Sequence, residues 1–190
     1  MLSALSGTII NRSPIGRSLD ISEKAIRYYL QIAEGSYIWR NSPSYEKSSS
    51  KSIAKMPKGN IRDSGLSNFI QGITKRKQLL NYPNVGAAFE AFISEEIIKG
   101  IQAADTVNWN YYYFRTKNGA EIDLILEGPF GTLPIEIKLG SGIKQRQIQT
   151  LKNFVYNNDF VSIGGGVRNE LTGGGRGMAH TKVYNNVFYH

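Results

Sequence analysis

Three side chains in the second half of the sequence have the types and spacing of a catalytic site. Asp123 lies in the apolar-alternating stretch AEIDLIL, and Glu136 and Lys138 lie in the following stretch LPIEIKL. If these stretches pair as a hairpin, Ile122 and Leu124 share an apolar face, and Asp123 faces Glu136 on the other. Two carboxylates held a few ångströms apart share a proton or bind a cation. Since no histidine lies near them, they favour a hard cation such as Mg²⁺ or Mn²⁺.

Lys138 adds a positive charge beside this carboxylate pair. Its ammonium group would stabilise an anionic transition state or help to activate a water. A simpler interpretation is that one face of a solvated sheet carries acids and a lysine. Glu121, which lies opposite Lys138 in the pairing, would then form an ordinary cross-strand ion pair with it. The hairpin alone leaves both interpretations open.

The segments around the hairpin predict a mixed α/β domain. The stretch after Asn84, VGAAFEAFISEEIIKG, has the apolar spacing of a helix, and WNYYYFR is typical of a strand. Asn118 and Gly119 form a strong hairpin-turn signal. IKQRQIQTLKNFVYNN predicts a second helix, and DFVSIG predicts a further strand. Residues 81–190 therefore have the order helix, three strands, helix, strand.

The first 80 residues differ from the rest in charge. They contain 13 Lys and Arg against 5 Asp and Glu, whereas residues 81–190 contain 10 of each. All of the net charge of +8 therefore lies in residues 1–80. We predict two units, 1–80 and 81–190, of which the first faces a polyanion. Lysines that only keep the surface soluble would give the same count.

Residues 1–80 also have the predicted order of elements of a winged helix-turn-helix. A short helix is followed by a longer one capped by Ser22, and two strands flank the polar loop NSPSYEKSSSKSIAKMPKGN. The second helix would enter a DNA groove, where its exposed Lys24 and Arg27 would meet phosphates or bases. A small helical domain that contacts proteins would have the same pattern.

Composition excludes several other classes. The chain has no cysteine, which excludes disulfides and thiolate sites, and no apolar run approaches the roughly 18 residues that span a bilayer. The first residues, MLSALSGTIINRS, lack the basic start of a signal peptide, so we expect a cytoplasmic protein without membrane contact. The stretch GGGVRNELTGGGRG lacks the Gly-Lys-Ser/Thr ending of a P-loop, so we expect no nucleotide site.

The motif of Asp123 followed by Glu136-Ile137-Lys138, within this order of elements, resembles the PD-(D/E)xK superfamily of restriction-endonuclease-like nucleases. In that superfamily the first helix often supplies another acid, and Glu90 in GAAFEAF occupies the matching position. The resemblance implies an αβββαβ domain in which Asp123, Glu136 and Glu90 hold Mg²⁺ or Mn²⁺. The alternative is that Glu90 is an exposed helix acid.

The same resemblance implies a mechanism. The metal would lower the pKa of a bound water and neutralise charge on the scissile phosphate, and Lys138 would position the water or stabilise the transition state. Glu121 would be a neighbouring partner that tunes Lys138. The following helix carries three glutamines, Gln145, Gln147 and Gln149. One of them would face the site, as a polar residue does in some relatives; the alternative is that all three lie on a solvated surface.

A wider resemblance extends over nearly the whole chain. It is to the C-terminal half of a family of bacterial and archaeal AAA-type ATPases, and it rests on SGTIINRSPIGRSLDISEKAIRYYLQIAEGSYIWR, KGNIRDSGLSNFI, VGAAFEAFISEEI, YYYFRTKNGAEIDLIL and PIEIKLG. In that family a P-loop ATPase module precedes a winged helix and a PD-(D/E)xK-like domain of unknown function. The resemblance implies that this chain begins where the module would end, with DNA and that module as partners. The alternative is a binding module that regulates the ATPase without hydrolysing DNA.

Overall fold

The computed structural model describes residues 2–45, 56–116, 118–140 and 145–156. Within them the chain has a mixed α/β fold with two antiparallel sheets of three strands each. The strand predicted at DFVSIG and the glycine-rich stretch that follows it lie outside the described residues. Part of the polar loop predicted in the first unit lies outside them as well.

The described residues contain six α-helices and six strands. The helices are α1 Arg12–Leu19, α2 Glu23–Gly35, α3 Ser64–Ile70, α4 Arg76–Leu80, α5 Val85–Ala103 and α6 Gln145–Tyr156. The strands are β1 Thr8–Ile9, β2 Trp39–Ser42, β3 Lys58–Ile61, β4 Asn110–Arg115, β5 Glu121–Gly128 and β6 Gly131–Ile135. From α5 to α6 the order is the predicted helix, three strands and helix. No helix among the described residues is long and apolar enough to cross a bilayer.

The N-terminal unit packs a helix pair against a sheet with strand order β1-β3-β2. Ser22 caps α2 as predicted, because its side chain accepts a hydrogen bond from the Ala25 amide. The apolar face of α2 and the indole of Trp39 are buried together in one core. Its buried members are Ile10, Ile15, Ile26, Leu30, Ala33, Trp39 and Ile61.

A glycine lets the central strand β3 pack closely on this core. A Cβ at Gly59 would lie 2.1 Å from Trp39 Cζ2, so a larger residue would displace the indole. The neighbouring Lys58 pairs with Ile9 on one side and with Ser42 on the other. The backbone of Lys58 is therefore fixed by two strands, which determines where its side chain can reach.

The second unit is a sheet with strand order β4-β5-β6 and a helix on each face. α5 covers one face, where Ile98 packs with Leu124 of the central strand β5. α6 covers the other face, where Phe154 packs with Ile122 and Ile125. Because both faces are covered, β5 is buried along most of its length.

The hairpin of β5 and β6 has the predicted register. Leu124 pairs with Ile135 and Leu126 pairs with Leu133, as the apolar alternation requires. β6 ends at Ile135, so Glu136 follows the strand instead of lying within it. The hairpin ladder therefore stops just before the residues that were predicted to do chemistry.

A β-bulge interrupts the alternation of β5 at Asp123. Ile125 pairs with Tyr112 and Ile122 pairs with Phe114. Two residues of β5, Asp123 and Leu124, therefore lie opposite the single residue Tyr113 of β4. The prediction that Ile122 shares a face with Leu124 is wrong, because the bulge turns Ile122 to the face covered by α6. Such bulges redirect side chains and recur beside active sites.

The two units touch through main chain as well as through side chains. The segment after β2 runs beside β4, where the Tyr45 amide donates to the Tyr113 carbonyl at 2.7 Å and the Tyr113 amide donates to the Pro43 carbonyl at 3.0 Å. Tyr113 is fully buried, and its hydroxyl donates to the Met56 carbonyl. The N-terminal unit is therefore in close contact with the sheet that carries the candidate site.

Candidate active site

Three parts of the second unit bring the predicted catalytic residues together. Glu90 comes from α5, Asp123 from the bulge of β5, and Glu136 and Lys138 from the segment directly after β6. Lys138 Nζ lies 2.7 Å from Glu90 Oε1 and 3.4 Å from Asp123 Oδ2. It also lies 3.3 Å from Glu136 Oε1. One ammonium group therefore contacts all three of the predicted carboxylates.

Asp123 is held by the backbone of the segment after β6. Its Oδ2 accepts a hydrogen bond from the Ile137 amide at 2.9 Å, and its side chain is 3% exposed. Asp123 and Glu136 do not form the predicted cross-strand pair, because β6 ends before Glu136. They are linked instead through the Ile137 amide and the Lys138 ammonium group.

Glu136 is buried and only partly satisfied. Its Oε1 accepts a hydrogen bond from Gln147 at 2.7 Å, whereas its Oε2 is buried without a hydrogen-bond partner among the described residues. Burial, followed by repulsion from the Asp123 carboxylate, raises the pKa of Glu136 to about 7. At neutral pH such an acid takes up either a proton or a cation.

The glutamines of α6 have different environments. Gln147 contacts Glu136 and is partly buried, which places it at the site. Gln145 and Gln149 are exposed, and Gln149 donates to Asn153 on the same helix. One glutamine therefore faces the site, which was one of the two predicted outcomes.

Lys138 is held in its charged form. Burial acts to lower the pKa of Lys138, but its hydrogen bond to Glu90 and the charges of Asp123 and Glu136 outweigh burial and raise it well above its usual value. Burial and the Asp123 carboxylate also raise the pKa of Glu90, against the opposing effect of nearby lysines. The side chain of Lys138 is 28% exposed, more than any carboxylate that it contacts. It is therefore a fixed cation at the open side of the site.

A second lysine joins the same acids, and sequence reasoning missed it. Lys58 Nζ of β3 lies 3.5 Å from Asp123 Oδ1 and 3.3 Å from Glu121 Oε1. It also lies 3.8 Å from Glu90 Oε2, and its side chain is 11% exposed. Burial acts to lower the pKa of Lys58, but the three carboxylates, Asp123 foremost, outweigh burial and raise it. The lysine-rich stretch SKSIAKMPKGN gives no local signal that sets this lysine apart.

Glu121 has partners other than the one predicted. Its Oε1 pairs with Lys58, and its Oε2 lies 3.6 Å from Arg115 Nη1. The pairing of the hairpin predicted Lys138 as its partner, which is wrong because β6 ends early and Lys138 turns towards α5. Glu121 therefore connects the site to the N-terminal unit.

These residues form one group, which we call the carboxylate cluster: Glu90, Glu121, Asp123, Glu136, Lys58 and Lys138. With all six groups ionised, its formal charge is −2, or −1 when Arg115, which pairs with Glu121, is counted with them. No three acids or histidines among the described residues are arranged as a ready-made metal cage, and the acids surround the two lysines instead. The negative excess and the unpartnered Oε2 of Glu136 are the two features that fit a divalent cation.

The predicted DNA-binding residues lie apart from this cluster, on α2. Lys24 and Arg27 are exposed, as predicted, and their spacing of three residues places them on one side of the helix. Tyr28 beside them is 62% exposed. The exposed surface of α2 therefore combines positive charge with an aromatic ring.

Comparisons with known proteins match the two units to separate families. Residues 1–77 match the family model "Domain of unknown function (DUF8612)", and residues 85–172 match "Domain of unknown function (DUF4143)". Two uncharacterized proteins, Rv2008c of Mycobacterium tuberculosis and Mb2031c of Mycobacterium bovis, are each 32% identical over 127 residues. That alignment covers 67% of this chain but 28% of each relative. No solved structure matches the chain. None of these descriptions names an ATPase, a nuclease or any other activity.

Proposed function

We propose that this chain carries a cation-dependent phosphodiesterase site of the PD-(D/E)xK kind beside a DNA-binding winged helix-turn-helix. The observation that carries the proposal is the convergence of Glu90, Asp123 and Glu136 on the ammonium group of Lys138. These residues come from distant parts of the second unit, and their side chains still meet at one point. Their types are those of the superfamily motif that the sequence resembles.

Glu90, Asp123 and Glu136 would hold the cation. Carboxylate oxygens are the ligands that Mg²⁺ and Mn²⁺ prefer. The unpartnered buried Oε2 of Glu136 and the excess of acids over cations in the carboxylate cluster support a divalent ion. A bound cation would lower the pKa of its water and neutralise charge on the scissile phosphate.

The protein groups around the acids would orient them and receive the phosphate. The Ile137 amide holds Asp123, and Gln147 holds Glu136, so both carboxylates have a defined direction. Because the raised pKa of Lys138 keeps it protonated, it would act as a fixed charge beside the phosphate and not as a general base. Its partial exposure gives a substrate access to that charge.

DNA is the proposed substrate because of the charge of the N-terminal unit. All of the net charge of +8 lies in residues 1–80, and Lys24 and Arg27 are exposed on α2. Contacts of this kind bind phosphates with little dependence on base sequence. An N-terminal AAA-type ATPase module is the proposed protein partner. The aligned region makes up 28% of each mycobacterial relative, which leaves room for such a module there.

A second candidate is a binding module without catalysis, in which the carboxylate cluster holds the two units together. The observation that favours it is that Lys58 of the first unit pairs with Glu90, Glu121 and Asp123 of the second. In this role the ion pairs would stabilise the fold. The basic surface would then bind DNA or a protein partner and regulate the attached ATPase.

Plasmid nicking and titration calorimetry with Mg²⁺ or Mn²⁺, on the same samples, distinguish these functions. Asp123→Asn removes a proposed ligand, and Glu96→Gln is the control because Glu96 is a half-exposed acid on α5 that pairs with Lys99. We expect wild type and Glu96→Gln to bind the cation and to nick DNA. Asp123→Asn should lose cation binding and at least about 100-fold in nicking rate.

Two other results would change the conclusion. Cation binding without nicking in the wild type would favour the binding module. If no cation binds to the wild type, and Asp123→Asn is less stable than the wild type, the acids are a structural charge cluster. The phosphodiesterase proposal would then be wrong.

A further inference from the structure

The two lysines of the carboxylate cluster are held with different strength. Lys138 lies 2.7 Å from Glu90, a normal charged hydrogen-bond distance. The shortest contact of Lys58 is 3.3 Å, to Glu121, and its contacts with Asp123 and Glu90 are 3.5 and 3.8 Å. Since ion pairs weaken with distance, Lys58 is the lysine that leaves Asp123 and Glu90 more readily.

The lysines also occupy different oxygens of the same two carboxylates. Lys138 contacts Glu90 Oε1 and Asp123 Oδ2. Lys58 contacts Glu90 Oε2 and Asp123 Oδ1. If Lys138 keeps its shorter contacts, the oxygens that now face Lys58, Glu90 Oε2 and Asp123 Oδ1, are those left to hold a metal ion.

We propose that Lys58 is a resident cation that competes with the divalent metal for Glu90 and Asp123 and withdraws to Glu121 when the metal binds. The inference rests on the proposed function, because it requires the metal site. Glu121 is the nearest partner of Lys58 and is not a proposed metal ligand. The flexible four-carbon side chain of lysine permits the shift while the β3 backbone stays paired on both sides.

This exchange links the metal site to the N-terminal unit. Lys58 belongs to β3, whereas Glu90 belongs to α5, so metal binding removes an ion pair between the two units. Binding linkage is reciprocal. A ligand of the N-terminal unit that draws β3 away from α5 would therefore raise the affinity for the metal. The metal would raise the affinity for that ligand by the same factor.

Calorimetric titration of the full chain with Mn²⁺ tests the exchange. We expect Lys58→Met to bind Mn²⁺ at least ten times more tightly than the wild type, because the competing cation is gone. Glu121→Gln should bind several times more weakly, because Lys58 then lacks an acceptor to move to. In the double variant the effect of Glu121→Gln should disappear. Lys99→Met, which removes a lysine paired with Glu96, is the charge control and should change affinity less than twofold.

Thermal unfolding with and without Mn²⁺ gives a second measurement. Lys58→Met leaves Glu90 and Asp123 short of a cation, so the metal-free variant should unfold at a lower temperature than the wild type. Mn²⁺ should then raise its melting temperature more than it raises that of the wild type. If Lys58→Met does not fold, Lys58→Arg carries the test. A guanidinium group holds carboxylates through two parallel bonds, so this variant should bind Mn²⁺ more weakly than the wild type.

The outcomes separate this inference from the proposed function. Equal Mn²⁺ affinity in wild type and Lys58→Met would overturn the inference and leave the metal site intact. The same holds if the effect of Glu121→Gln persists in the double variant, because that effect would then be simple loss of negative charge. No Mn²⁺ binding by any variant would overturn both the inference and the proposed metal site.

Discussion

Among the described residues, two largely buried groups of charges connect the N-terminal unit to α5, and their charge balance is opposite. The carboxylate cluster has four acids and two lysines. The second group, which we call the arginine cluster, has one acid, Glu95, and two arginines, Arg40 of β2 and Arg62 directly after β3. Glu90 and Glu95, one from each group, lie on the same helix, so their surroundings and not their secondary structure make the difference.

The arginine cluster has the properties of a structural contact. Arg40 and Arg62 both donate to Glu95, whose side chain is 3% exposed. Burial acts to lower the pKa of Arg40, but its bonds to Glu95 and Tyr111 outweigh burial and raise it. Guanidinium groups hold planar carboxylates in a fixed geometry, whereas lysines are flexible point charges. We therefore assign stability to the arginine cluster and exchange with a ligand to the carboxylate cluster, where acids are in excess.

Neutralising Glu95 should have the largest effect of any single change. Glu95→Gln leaves the buried Arg40 and the partly buried Arg62 without their carboxylate, so the free energy of unfolding should fall by about 3–5 kcal/mol. Glu90→Gln is the matched variant on the same helix. Burial and the Asp123 carboxylate already raise the pKa of Glu90, so its charge is poorly stabilised and the loss should stay below about 1 kcal/mol. Urea unfolding of the metal-free protein measures both, and equal losses would contradict the distinction between the clusters.

The next effect depends on pH. The pKa of Glu136 is about 7 in the folded protein, because of burial and the Asp123 charge, against an ordinary value of 4.5. Between these values the folded state binds more protons than the unfolded chain. The free energy of unfolding of the metal-free protein should therefore fall as pH rises from about 4.5 to about 7 through this group. The loss is complete above that range.

Glu136→Gln should remove this loss. At pH 8 the metal-free variant should be more stable than the wild type by about 1–3 kcal/mol, and at pH 4 the two should be nearly equal. Urea unfolding at pH 4, 6 and 8 measures the difference, with Glu96→Gln as a control that should show no such trend. A variant less stable than the wild type at pH 8 would mean that the ion pair of Glu136 with Lys138 outweighs its burial.

The sequence was sufficient to locate Asp123 and Glu136 because local pattern determines where they lie. The hairpin register follows from apolar alternation, and it brings Asp123 near the segment that carries Glu136 and Lys138. Glu90 came from a resemblance to a known motif. The bulge at Asp123 was not predictable in this way, because it depends on how β5 packs between two helices. It turned Ile122 to the opposite face from the one that strict alternation predicts.

The lysine of the N-terminal unit was missed for a different reason. Lys58 reaches the site through packing between two units, and no periodicity or spacing within either unit records that contact. The same packing gave Glu121 a different partner from the predicted one. The contacts of Glu95 with Arg40 and Arg62 were missed in the same way. Their only sequence signal is a charged residue on an otherwise apolar helix. Local pattern and the motif resemblance therefore identified the acids and Lys138, whereas the contact of Lys58 with them depended on tertiary structure.

The smallest effect on folding is expected on the exposed surface of α2, which neither cluster includes. The double substitution of Lys24→Ala and Arg27→Ala should change the free energy of unfolding by less than about 0.5 kcal/mol. If both side chains contact DNA phosphates, it should reduce the slope of log affinity against log salt by about 1.8. Fluorescence anisotropy with duplex DNA at several salt concentrations measures that slope, and Lys99→Ala, a partly exposed lysine of α5, should leave it unchanged.

An unchanged slope in the α2 double variant would remove this helix from the DNA surface. A reduced slope with normal unfolding and normal Mn²⁺ affinity would place DNA contact on a part of the molecule separate from both clusters. Three regions would then have three separate roles. The α2 surface would bind phosphates, the arginine cluster would stabilise the fold, and the carboxylate cluster would exchange Lys58 for a metal ion. Substitutions in each region would change only the role of that region. Lys58 would be the residue that couples DNA binding by the N-terminal unit to metal binding by the carboxylate cluster.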